Sequence, residues 1–196
     1  MGVGNNQGAS WGSVISGMRK SGFSWDSVAF LMRTAGASWS DVAIEMGNAG
    51  TSWSNFSSVM RNKRESWDAI AKSMHEAKSS WVDIAFVMRK EGESWNDVIP
   101  CVRKAGASWT NITFGLSKNM RSGSVVAPGA SWKDIVVGMR KAGATRDDIF
   151  SNTRKARAPM EVIEAELKVL MVGEEDITQI DDIEQGAPSH AASQRP

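Results

Sequence analysis

The sequence predicts an all-α solenoid of about ten 14-residue single-helix units, paired as antiparallel helix hairpins. Three observations carry that prediction. Trp11, Trp25, Trp39, Trp53, Trp67, Trp81, Trp95 and Trp109 stand fourteen residues apart, and Trp132 follows after a longer gap. A Val, Ile or Phe sits three residues after each Trp, and a Met usually sits four further on, as in Trp81, Ile84 and Met88. Those spacings put all three side chains on one helical stripe. Each stripe opens on a Ser and most close on a Gly, the start and stop signals of a short helix.

The units begin at Ser10, Ser24, Ser38, Ser52, Ser66, Ser80, Ser94, Ser108, Ser131 and Thr145. Residues 1–9 form a polar lead. In each unit the Ser hydroxyl can accept from a free backbone N–H of the first turn, and Asp41, Asp83, Asp97 and Asp134 complete a pattern close to a capping box. Gly22, Gly36, Gly50, Gly92, Gly106 and Gly143 supply the left-handed stop; Arg64 and Lys78 replace it in two units, which predicts a weaker stop there. One such unit has too little apolar surface to fold by itself, so the array folds as an array. A second period of two units shows at the position two before the Met, where Phe30, Phe86 and Phe114 fall in even units. This predicts that even helices form the more buried layer.

Three features depart from the repeat. Pro100 falls in mid-helix, where it removes a hydrogen bond and predicts a kink. The gap from Trp109 to Trp132 holds an insertion over residues 119–130, so the array runs over residues 10–158 with that interruption. Residues 159–172 carry Met160, Ile163, Leu167, Leu170 and Met171 at helical spacing and read as a C-terminal capping helix. Residues 173–196 read as an acidic, largely disordered tail.

The net charge of +1 hides an asymmetry. Residues 1–158 carry 21 Lys and Arg against 13 Asp and Glu, whereas residues 159–196 carry 2 against 9. The single Cys101 excludes an internal disulfide framework. No run approaches the length of a membrane span, and the first residues lack a signal-peptide core, so the expectation is an intracellular protein without a membrane.

The side chains point to architecture more than to chemistry. The periodic Trp25, Trp39, Trp53, Trp67, Trp81, Trp95, Trp109 and Trp132 read as repeat core, because apolar partners recur with them. A basic ladder stands at the helix ends: Arg19, Lys20, Arg33, Arg61, Arg89, Lys90, Arg103, Lys104, Arg140, Lys141, Arg154 and Lys155. It suits the negative end of the helix dipole, and it also suits a phosphate backbone. No polar unit precedes unit one, so Trp11, Val14 and Met18 form a candidate assembly face. No nucleophile–base pair, metal-ligand pattern or phosphate loop appears, and no cofactor or small molecule is implied. The expectation is a non-enzymatic scaffold that binds protein partners or copies of itself; the second reading is a nucleic-acid-binding repeat that uses the basic ladder.

Overall fold

The computed structural model describes residues 10–122 and 125–169. The lead over residues 1–9, the end of the predicted cap over residues 170–172 and the tail over residues 173–196 lie outside the described residues. Within them the chain is a helical solenoid. Helices α1 (Trp11–Lys20), α2 (Trp25–Thr34), α3 (Trp39–Asn48), α4 (Trp53–Asn62), α5 (Trp67–Glu76), α6 (Trp81–Lys90) and α7 (Trp95–Lys104) follow one another at the predicted period. Helix α8 (109–116) contains a π-helical stretch, Asn111–Gly115. Strands β1 (Met120–Ser122) and β2 (Val125–Ala127) then pair antiparallel within the insertion. Helices α9 (Trp132–Lys141), α10 (Arg146–Lys155) and α11 (160–169) complete the order. Each helix from α1 to α6 packs on its successor, and each from α1 to α5 also packs on the next but one.

The helix boundaries follow from local chemistry. In units one to six the Ser hydroxyl accepts the backbone N–H three residues on, at 3.1–3.3 Å. Full capping boxes form at Ser38–Asp41, Ser131–Asp134 and Thr145–Asp148. Helices α1 to α7, α9 and α10 each stop in a six-residue closure, for example Ala37 N–H to the Met32 carbonyl at 3.0 Å and Gly36 N–H to the Arg33 carbonyl at 3.0 Å. Arg64 and Lys78 make the same closure as the glycines do, with φ of 63° and 68°. A side chain in that left-handed region costs about 1–2 kcal/mol. Lys78→Gly is therefore expected to raise stability by about 1 kcal/mol after its own entropy loss, read as a higher urea midpoint; an unchanged or lower midpoint would contradict the strain.

The caps also set an acid limit. The Ser38 hydroxyl and N–H hold the Asp41 carboxyl below its ordinary 3.8, and the Thr145 N–H and hydroxyl do the same for Asp148. A lowered folded pKa contributes stability that is complete above the unfolded value and is lost as pH falls through the folded one. The melting temperature should thus drop as pH falls below about 4, and Asp148→Asn should flatten part of that slope.

The core is the Val/Ile, Ala and Met stripe. Val28, Val42, Ile70, Ile84 and Val98 are inaccessible or nearly so, as are Met32, Met46, Met60, Met74 and Met88. The tryptophans lie at its rim, half-buried and packed against it, apart from the buried Trp95. The predicted cap is the eleventh unit of the same series. Trp132, Arg146 and Met160 are fourteen apart, and so are Ile135, Ile149 and Ile163. Ile163 is fully buried and Leu167 nearly so, and Arg157 takes the left-handed stop with φ of 60°.

Two expectations are corrected or refined. Even helices are not the more buried layer. Phe86 is 5 % exposed, but Phe30 is 62 % and Phe114 is 38 % exposed. The position of these side chains faces outward along the array. It is covered at α6, where β1 packs on that helix, and α2 has no such cover. Helix α7 stays α-helical from Trp95 to Lys104 across Pro100. It packs closely on α9, where Gly138 lies against Ile99.

Candidate functional site

The basic ladder resolves into two columns, exposed or half-buried, and each makes contacts between units. The first column folds forward onto the next unit. The guanidiniums of Arg19, Arg33, Arg61, Arg89 and Arg103 lie 4.3–5.3 Å from the ring centres of Trp25, Trp39, Trp67, Trp95 and Trp109. Most also donate to the carbonyl four residues on: Arg33 to Ala37 at 2.5 Å, Arg103 to Ala107 at 2.8 Å, Arg140 to Ala144 at 3.3 Å, and likewise Arg19 to Phe23 and Arg89 to Glu93. One side chain therefore clamps the connecting turn and roofs the following indole. A cation over an aromatic face is worth about 0.5–1 kcal/mol at an exposed site. His75 takes the same place, stacked 3.9 Å from the ring of Trp81 at 24°. The sequence carried a signal for this: Arg precedes Trp by a constant six residues.

The second column reaches back two units. The late-helix residue of one unit meets the second helical residue of the unit two before. Asn62 donates to Asp26 at 3.2 Å, Lys90 to Ser54 at 3.4 Å, and Lys104 to Asp68; Glu76 accepts from Ser40. Across the insertion Lys141 reaches the third helical residue instead, at 3.2 Å from Asp97, and Lys133 pairs with Glu166 at 3.8 Å. A third series ties indoles to the same neighbour. Trp39 Nε1 donates to Glu65 at 2.7 Å and Trp67 Nε1 to Glu93 at 2.5 Å. At the ends of the ladder Lys20, Arg154 and Lys155 make no such link among the described residues.

The predicted assembly face is partly open. Trp11, Val14 and Met18 are half-buried, whereas Val28, Val42, Met32 and Met46 in the next two units are inaccessible. Ile15 is fully buried and anchors α1. Phe23 and Leu31 beside this end are 50 % and 41 % exposed. Phe23 lies outside the Trp stripe and gave no sequence signal, and Leu31 stands in an even unit, where the two-unit period predicted burial.

The titratable groups outside the caps serve packing. Burial pushes the Cys101 thiol up to about 12, and the nearby Asp68 carboxylate adds to the rise. The Asp68 carboxylate raises the Lys104 ammonium, and the Ser94 hydroxyl and then Lys141 lower Asp97. Among the described residues no cluster of His, Cys, Asp and Glu is arranged to hold a metal ion, and no helix is long and apolar enough to cross a membrane. A hollow of about 620 Å³ lies between α10 and α11, lined by Asp147, Phe150, Ser151, Arg154, Met160 and Glu164.

No family model, curated protein or solved structure matches the chain.

Proposed function

We infer that the chain is a non-enzymatic, protein-binding scaffold whose docking surface is its N-terminal end. The single observation that carries this reading is the bare stripe of α1. An internal unit buries its Val and Met completely, and unit one leaves Val14 and Met18 half-covered. Capping repeats of a solenoid normally turn a polar face outward. Unit one does not follow that rule, since Trp11, Val14 and Met18 are half-exposed. A surface of that kind is covered in use by another protein surface.

The remaining side chains support a passive role. Cys101 is buried with a raised pKa, which keeps it a neutral thiol near pH 7. His75 is held on Trp81. The protein-binding reading is preferred to the nucleic-acid one because the ladder has contacts of its own within the array: arginines lie over tryptophans, and Lys90, Lys104 and Lys141 reach earlier units.

The test is a Trp11→Gln, Met18→Gln double variant. Its helicity by circular dichroism should match the parent, and proteins that co-purify with the parent from the cells that make it should be lost. An unchanged set of co-purifying proteins would overturn the N-terminal docking surface.

A further inference from the structure

Units in the middle of the array hold their neighbours by Arg-over-Trp contacts, late-helix links and indole bonds, and at the two ends halves of these contacts stand unmatched. At the N-terminal end Lys20 occupies the place of Lys104 and Lys90, whose partners lie two units earlier. Lys20 is exposed, with no partner among the described residues. Phe23 occupies the place of Glu65 and Glu93, which meet the indole two units earlier, and it is 50 % exposed. Trp11 has Asn5 in the six-before position, where Trp25, Trp39, Trp67, Trp95 and Trp109 have an Arg.

The C-terminal end shows the opposite halves. Asp147 and Glu161 occupy the place of Asp68 and Asp26, which receive the late-helix residue from two units on, and both are exposed. Met160 stands in the Trp place and Lys168 in the Arg place, with no Trp six residues on. The hollow has a smaller counterpart inside the array. Asp147, Ser151 and Arg154 on α10 stand where Asp68, Lys72 and His75 stand on α5; there the groove is about 360 Å³ and Lys104 and Ala105 at the end of α7 form its far wall, whereas among the described residues no helix two units on walls the hollow of about 620 Å³.

We propose that the N-terminal end of one copy seats on the C-terminal end of another, with α1 of the second copy entering the hollow between α10 and α11 of the first. This inference rests on the open-end reading above and names its partner as a second copy. The register follows from the repeat. Lys20 meets Asp147, Phe23 meets Met160, and Trp11 comes under Lys168. Charge selects this occupant over the chain's own C-terminal residues. At the seat the carboxylates of Asp147, Glu161 and Glu164 outnumber the cations Arg154 and Lys168, residues 174–184 are acidic as well, and α1 brings Arg19 and Lys20 with no carboxylate. The contact uses different surfaces on the two copies, so it extends into a row of copies unless the rotation closes a ring.

The experiment is sedimentation of the full chain across a concentration series to the millimolar range, with Lys20→Glu, Asp147→Lys and the double swap. The parent should gain mass with concentration. Each single reversal sets like charges against each other and should weaken association by about tenfold. The double swap should recover most of the loss, a result that mere misfolding cannot give. A parent that stays at the mass of one chain overturns the inference while leaving the scaffold reading to its co-purification test. Association that Trp11→Gln, Met18→Gln abolishes and Asp147→Lys leaves intact overturns the C-terminal seat alone.

Discussion

Met60→Ala should cost the array about 2–5 kcal/mol, the range for emptying a fully buried Met site. Met60 is inaccessible to solvent in α4, which packs on α2, α3, α5 and α6. Its carbonyl also closes the helix by accepting from Lys63 at 3.0 Å and Glu65 at 3.1 Å. The neighbours on either side are fixed by their own contacts and collapse little into the space, so the cavity cost adds to the lost transfer energy. In a solenoid each unit touches only near neighbours, so the damage should also uncouple the two flanks. Urea unfolding followed by circular dichroism should show a lower midpoint and a broader transition. Met18→Ala in half-covered α1 should cost clearly less. Equal costs at the two positions would contradict an open N-terminal end.

Gly138→Ala is the second large effect. Glycine in a helix normally gains about 1 kcal/mol on becoming alanine. Here the sign reverses, because a Cβ on Gly138 would come within 2.6 Å of Ile99 Cδ1 and 2.8 Å of Ile99 Cβ. Ile99 is itself fully buried in α7, and the near contact includes its stiff branch point. Forcing a methyl into so tight a contact costs about 1–3 kcal/mol and pushes α7 and α9 apart. The matched control is Gly17→Ala, where nothing lies within 4 Å of the added Cβ and a gain is expected. Thermal melts of the two variants should move in opposite directions. A rise with both would mean that α7 and α9 do not approach so closely.

The repeat, its caps and its core stripe were legible because each is written in local spacing. Ser and Thr begin helices through bonds three residues away, and the Val/Ile and Met positions recur on one face. Contacts between units were harder to read. The Arg-over-Trp roof spans a turn, and its only trace is the constant spacing from Arg19 to Trp25, Arg33 to Trp39 and onward. The links such as Lys104 to Asp68 join residues 36 apart and vary in chemistry from unit to unit, so no fixed pattern of residue types marks them. Unit eleven was hidden by its substitutions, Pro159 for Ser and Met160 for Trp, although Ile163 and Leu167 keep the phase. Burial of the even-unit phenylalanines was misjudged for a tertiary reason: Phe86 lies on the helix that the insertion's β1 packs against, and Phe30 lies on one without it.

The central claim is that units in the middle of the array are tied to the one two positions earlier by a late-helix side chain reaching a first-turn side chain. Zero-length carbodiimide cross-linking of the single-chain fraction, followed by peptide mass spectrometry, tests it directly. The stacked array predicts links joining Lys104 to Asp68, Lys141 to Asp97 and Lys133 to Glu166 within one chain. Links confined to residues of the same or adjacent units, with none of these three, would contradict it.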